Sequence, residues 1–410
     1  MTRGLPFKRD VSLTGKISAG TDDSPEQVYN EEYGAQSITR LSQVYKRLGL
    51  LPDSADLAKA LAEFQRLQRV AFYDGRGETI VVAQESGRLG RALAGDDSRA
   101  AAQIPVVLAL TYALQEQNFK WFEKLKVVPL EDRKLAFRAL SSGDAVLMGL
   151  AHLRGNQAPK WPDQQQAITR LANELERMAS GLPPLLREKL VFPYREGSQF
   201  VQWAYATRGL EGINALFANP PLSSAQIIHP EKFYVRRQNP LRIFAWGLVQ
   251  QMKETAIIEQ TLGEYVTRLL LASSHSRVES ARIASGWAGD QLSAYPDGEN
   301  LITCWISAWD KETSAREFSG AFESVLMRRH SLRFEALAGQ NNDQKADLAG
   351  GRSMLLQVRG PVVLFLDGIT STRALEFADG VWQELETGPE STVIPFDSAK
   401  GGLQLPSKRR

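Results

Sequence analysis

Between residues 37 and 72, apolar positions recur at helical spacing, first at Leu41, Val44, Tyr45 and Leu48, then at Leu57, Leu61, Phe64 and Leu67. The run LLPDSAD separates the two sets, so the pattern predicts two helices. VAFYDGRGETIVVAQ (70–84) predicts a hairpin, because two β-rich runs flank Asp74-Gly75-Arg76-Gly77, residues that tolerate positive φ. Helices are expected over 104–122, with Pro105 in the first turn, over 131–153 and over 167–180. Residues 182–217 give further helices broken by prolines, and 219–234 reads as an extended connector.

Beyond residue 234 the pattern changes. TLGEYVTRLLLA is helical, LITCWISAW alternates like a half-buried strand, and ETSAREFSGAFESVLMRRH is an amphipathic helix. SLRFEAL, SMLLQV and PVVLFLDG read as strands, and TRALEFADGVWQEL as a closing helix. The expected class is therefore α+β. A polar tail or strap (1–36) precedes a mainly helical domain (37–234), a smaller α+β domain (235–386) and a loose tail (387–410).

Composition narrows the function classes. Of 410 residues, 43% are hydrophobic and 23% charged, as in an ordinary globular protein. Lys plus Arg total 49 against 47 Asp plus Glu, a net +2 that argues against a dedicated nucleic-acid binder. The single cysteine, Cys304, excludes an internal disulfide and a Cys-rich zinc site. Four histidines (His152, His229, His275, His330) stand far apart in no ligand pattern, and no metal or other cofactor is expected. IPVVLALTYAL (104–114) is the most apolar stretch and has about half of the roughly 20 residues needed to cross a membrane. The leading residues carry positive charge but no apolar run, so they do not read as an intact signal peptide.

Other chemistries find little support. No G-x-S-x-G elbow is present, and DGRGET and ESGRLG lack the strand–glycine–helix spacing of phosphate-binding loops and read as turns. Cys304 lies inside the alternating strand, where burial beside Trp305 explains it. RRQNPLRIF (236–244) reads as a solvated basic loop, with docking to an acidic partner or peripheral contact with a membrane surface as the sharper alternative.

Six stretches together carry a family likeness. TYALQEQNF (111–119) resembles the segment HELTHALQDQHF of a group of bacterial and archaeal zinc-metallopeptidase-like proteins, usually exported, and SSGDA (141–145) resembles that group's EGDA. FPYREGSQFV, PPLSSAQIIHPEKFY, SGWAGDQLSAY and WDKETSAREF resemble its later blocks in the same order, so the likeness spans roughly 70–318. The resemblance implies zinc-assisted peptide hydrolysis: two histidines one helical turn apart bind the metal, a glutamate activates water, and a glutamate from the next helix completes the ligands. Aligned on LALTYALQEQNF, the first histidine falls on Leu108, the general base on Ala109, the second histidine on Tyr112 and the EGDA glutamate on Ser142.

None of these four side chains suits its aligned role. Leucine and alanine neither coordinate zinc nor accept a proton, and tyrosine and serine are poor ligands near neutral pH. Glu116, Asp144, His152 and His229 are the residual polar candidates of the cleft between 104–122 and 131–153. Glu116 reads as part of a solvated face or of a face that backs the cleft residues, Asp144 as a partner for a helix or loop end, His152 as a helix C-terminal cation, and His229 as a loop-pinning residue. The expectation is a catalytically inactive metallopeptidase-like subunit that binds or scaffolds a protein partner; the resemblance implies a bacterial envelope location, with the cytoplasm as the alternative. The alternative is a hydrolase with a site re-made in that cleft.

Overall fold

The computed structural model describes residues 3–14, 37–74, 78–121, 131–155, 161–252, 254–337 and 343–389. In chain order the first elements are β1 (Ser12–Thr14), α1 (Ile38–Leu48), α2 (Leu57–Gln68), β2 (Ala71–Asp74), β3 (Thr79–Val82), α3 (Ser86–Ala94) and α4 (Ser98–Phe119). The large helices α5 (Glu131–Leu153), α6 (Trp161–Met178) and α7 (Pro184–Ala218) follow, then the short α8 (Ser224–Ile228) and α9 (Glu231–Tyr234). The remainder is β4 (Leu241–Ala245), α10 (Trp246–Gln251), β5 (Ile258–Gln260), α11 (Gly263–Leu271), α12 (Arg277–Ala284), β6 (Trp287–Asp297), β7 (Asn300–Trp309), α13 (Glu312–His330), β8 (Glu335–Ala336), β9 (Gln344–Leu348), β10 (Arg352–Arg359), β11 (Val362–Thr370), α14 (Ala374–Gln383) and β12 (Leu385–Pro389). The class is α+β.

Helices α4 to α7 form one body, whose core includes Ile104, Leu108, Ala136, Leu140, Leu171, Phe192 and Phe217. Backbone contact sets the crossing of α5 on α7. A Cβ on Gly143 would stand 2.2 Å from the Gly197 carbonyl oxygen, and one on Gly197 would stand 2.0 Å from that of Ala139. Only glycine at both positions lets the helices approach this closely.

The second body is a seven-stranded sheet of order β5-β6-β7-β11-β10-β9-β8, with every neighbouring pair antiparallel. The strand β7 is buried on both faces rather than one. Trp305 and Trp309 pack with Phe318 and Phe322 of α13, while Cys304, Ile306 and Ala308 share a cluster with Phe377 and Val381 of α14. The alternation in LITCWISAW therefore sorts large aromatic from smaller aliphatic side chains, and the half-buried reading is corrected.

The core ignores a boundary at residue 234. Leu41, Val44, Leu61 and Phe64 of α1 and α2 belong to the cluster around Trp305 and Phe318. Arg329 of α13 donates to the Lys46 carbonyl over 3.0 Å, and Arg47 pairs with Asp367 of β11. The first two helices thus cover the sheet, although they precede the helical body in sequence.

Other local expectations need revision. ESGRLG (85–90), expected as a turn, opens the helix α3, whose Leu89 and Leu93 are buried. Helix α4 begins at Ser98, not at Pro105, because the Asp97 carboxylate caps it by accepting from Ala100 N over 2.9 Å. Pro105 withholds the donor that the Ala101 carbonyl would receive, and Gly90 of α3 packs against that carbonyl. The connector 219–234 contains two short helices, α8 capped by Ser223. β4 within 236–244 pairs with β12, so the basic segment is partly strand, and residues 387–389, expected loose, are ordered by the same pairing. SGWAGDQLSAY contributes the long strand β6. Residues 3–14, expected to be a tail or strap, lie along the helical body, and 15–36 fall outside the described residues. The turn of the 70–84 hairpin, 75–77, and most of the tail 387–410 also fall outside them.

Candidate functional site

Crossing of α4 and α5 brings the four aligned positions into one region. Leu108 and Ala109 are buried among the apolar side chains of the helical core, with Leu108 near Gly149 of α5. One turn further along α4, the Tyr112 hydroxyl donates to Ser142 Oγ over 3.2 Å, so two of the four positions touch directly. Tyr194, from α7, brings a third hydroxyl to the pair. Burial raises both tyrosine hydroxyls above their ordinary range, and for Tyr112 the neighbouring Tyr194 adds to the effect. Both phenols are therefore neutral near pH 7 and poor as ligands or bases. The donor set does not fit a zinc ion.

A second polar group lies on the same two helices. Gln115, one turn on from Tyr112, donates to Asp144 Oδ2 over 2.9 Å and to the Ser141 carbonyl over 3.0 Å, and Ser141 donates to its amide oxygen. Asp144 is wholly buried and meets Arg3, whose Nε lies 3.0 Å from Oδ1 and whose Nη2 lies 3.1 Å from Oδ2. Arg3 Nη1 donates to Asn214 Oδ1 of α7 over 2.7 Å. The expected helix- or loop-end partner for Asp144 is thus replaced by a guanidinium and an amide. Glu116 is buried, which removes the solvated-face reading and leaves the one in which it backs the cleft residues. His152 sits in the last turn of α5, with Nε2 3.0 Å from Gln103 Oε1, apart from this group.

His229 belongs elsewhere, at the joint between the helical body and the sheet. Its Nε2 donates to Glu264 of α11 over 2.7 Å, and Lys232 lies 3.5 Å from the other carboxylate oxygen. Asp132, at the start of α5, accepts from Ser224 N over 3.0 Å and abuts Gly263, whose φ of +79° leaves no room for a side chain there. Asp290 of β6 receives four N–H groups: Leu262 N at 2.9 Å, Gly263 N at 3.0 Å, Trp287 Nε1 at 3.2 Å and Trp305 Nε1 at 2.8 Å. Glu131 accepts from Lys189 at 3.1 Å and Lys134 at 3.4 Å beside a cavity of about 10 Å³, room for a single water. Among the described residues no group of three or more His, Cys, Asp or Glu is placed to hold a metal.

Burial, followed by the nearby Asp290 and Glu264, raises Asp132 well above the ordinary carboxyl range, against the opposing hydrogen bond from Ser224. Its neutral form favours the fold, so that stability is complete below the unfolded-state value near 4 and falls as pH rises toward the native one. Asp132→Asn removes this titration. Urea unfolding across a pH series should show the variant gaining on the wild type by about 1.4 kcal/mol per pH unit in that window. Parallel pH profiles would contradict it.

Sequence reasoning placed Tyr112 and Ser142 on facing helices but missed Arg3, Gln115, Tyr194, Asp132, Glu264 and Asp290. The QEQN run and the aspartates inside SSGDA and SGWAGDQLSAY were the available signals.

Comparison with known proteins gives one match. Residues 251–379 match a domain of unknown function, DUF8575. That segment contains every strand of the seven-stranded sheet together with α11, α12 and α13. No curated protein and no solved structure matches the chain. Among the described residues no helix is long and apolar enough to cross a membrane.

Proposed function

We propose that this chain is a catalytically inactive relative of the zinc metallopeptidases that binds a protein partner instead of cutting it. The observation supporting this reading is the state of the four aligned positions. Tyr112 and Ser142 satisfy each other across the helix crossing, while Leu108 and Ala109 fill core space that catalysis would need polar. A helix pair adapted to closure in this way keeps its geometry and gives up its chemistry. The helical body would act as a scaffold, and the sheet body, the part that matches a domain of unknown function, would be its companion in the same subunit. On the same reading the protein works in a bacterial envelope, which cell fractionation would test.

The test is incubation of the full chain with a mixture of unstructured peptides, with and without added zinc, followed by mass spectrometry. The account expects no new peptide termini under either condition. Zinc-dependent cleavage that disappears in Tyr112→Phe or Asp144→Asn would favour the re-made hydrolase.

A further inference from the structure

The segment 3–14 is held in the manner of a bound peptide. Apart from Arg3, its side chains are mostly exposed: Phe7 is 47% and Leu13 59% exposed, Val11 packs against the helical core, and the Arg9–Glu78 ion pair and the Ser12 Oγ–Thr79 Oγ1 hydrogen bond of 3.0 Å lie at the surface, where such contacts stabilise little. Main-chain groups make most of the remaining contacts. Gln117 of α4 clamps the backbone with one amide, accepting from Lys8 N at 2.8 Å and Arg9 N at 3.2 Å and donating to the Arg9 carbonyl at 3.1 Å. Asn118 donates to the Pro6 carbonyl at 3.0 Å. Strand β1 then adds parallel to β3, pairing Ser12 with Thr79 and Thr14 with Val81. Such contacts accept almost any sequence.

Selectivity rests on the buried side chain of Arg3. The niche offers Asp144 to the Nε and Nη2 edge and Asn214 Oδ1 to Nη1, while Gln115 fixes the carboxylate from behind. This arrangement matches the planar fork of a guanidinium, and a lysine ammonium would leave part of it unpaired. Backbone pairing for affinity with one side-chain pocket for selectivity is how sheet-edge peptide sites recognise extended ligands.

We propose that the niche of Asp144, Gln115 and Asn214, together with Gln117, Asn118 and the edge of β3, is a recognition site for an extended, arginine-bearing segment of a partner protein, and that residues 3–14 occupy it in cis until exchanged. The inference deepens the binding reading above by naming the ligand class, and it rests on that reading only for the partner. The niche itself stands on its own contacts.

The experiment uses the full chain carrying Arg3→Ala. The probes are methylguanidinium, methylammonium and a labelled peptide of sequence RGLPFKRDVSLT, alongside a peptide whose first residue is lysine. Arg3→Ala should lower Tm by several degrees, and methylguanidinium but not methylammonium should restore part of the loss while leaving the wild type unchanged. The labelled peptide should bind the variant saturably, and the lysine peptide on the order of tenfold more weakly. Equal rescue by methylammonium, or equal binding of both peptides, overturns the guanidinium site. In the wild-type chain, hydrogen exchange at the Lys8 and Arg9 amides should report opening well below the free energy of global unfolding. Exchange only through global unfolding overturns exchangeability, whether or not Arg3→Ala folds. A dimer formed by mutual exchange of segments, detected as a concentration-dependent doubling of mass, overturns the partner assignment in favour of a second copy. These outcomes are separate from peptide cleavage: an active hydrolase with a guanidinium-selective niche would refute the pseudoenzyme alone.

Discussion

Replacing Asp290 with alanine should destabilise the chain by roughly 4 kcal/mol or more, the largest effect expected of any single substitution away from the glycine contacts. Its carboxylate is buried and is the shared acceptor for two backbone N–H groups at the start of α11 and two indole N–H groups. Truncation orphans all four donors inside the protein, and each unmet buried donor costs about 1–3 kcal/mol. Burial raises the pKa of Asp290, with all four N–H donors opposing the shift. Asp290→Asn is therefore also expected to be harmful, because an amide has one acceptor oxygen and turns its NH₂ toward other donors. Urea unfolding followed by tryptophan fluorescence would measure both losses, since Trp287 and Trp305 report directly on the site. A loss below about 1 kcal/mol for Asp290→Ala would mean that water replaces the carboxylate, contrary to the contacts described.

The crossing of α5 on α7 predicts a second large effect. Gly143→Ala places a methyl group 2.2 Å from the Gly197 carbonyl oxygen, and that oxygen belongs to backbone with no flexible end to move aside. The helices must separate, at a cost of roughly 3 kcal/mol, and Ser142 and Asp144 move with them. Gly149→Ala, six residues along the same helix, is the control. Its Cβ would meet Leu108 Cδ2 at 3.6 Å and Ile104 Cδ1 at 3.7 Å, ordinary contacts, so gained helix propensity should leave it neutral or more stable by up to about 1 kcal/mol. Thermal unfolding of the pair decides: equal Tm values would mean that the close approach at Gly143 does not govern the crossing.

These two sites explain what the sequence made legible. Two helices came out with the expected limits, α5 over Glu131–Leu153 and α13 over Glu312–His330, whereas α4 and α6 begin six residues before their expected starts and α3 occupies a stretch that reads as a turn. Other misread elements take a form that depends on distant partners. β4 exists because β12 pairs with it, and the helices of 219–234 are organised around Asp132 and Glu264, contacts that no local window contains. The first two helices read correctly as helices, yet their amphipathic faces could not reveal that they cover the sheet instead of joining α4 to α7.

The candidate site divides in the same way. The likeness in 111–119 and 141–145 put Tyr112 and Ser142 on facing helices, and the structure places their hydroxyls in contact. Arg3 was not foreseeable as a partner of Asp144, because 141 positions separate them and the segment around Arg3 looks like any polar tail. The residues that make the likeness visible also have structural reasons to be where they are. Gly143 and Gly197 carry the helix crossing, and His229 and Asp290 carry the joint. These blocks therefore have a role in the fold that is independent of any chemistry at Leu108, Ala109, Tyr112 and Ser142.

The most direct measurement is the zinc content of the full chain, purified without chelator, dialysed against micromolar zinc and analysed for metal per mole of protein. The account predicts far less than one zinc per chain, unchanged in Tyr112→Phe and in Ser142→Ala. One zinc per chain that is lost in either variant would contradict it.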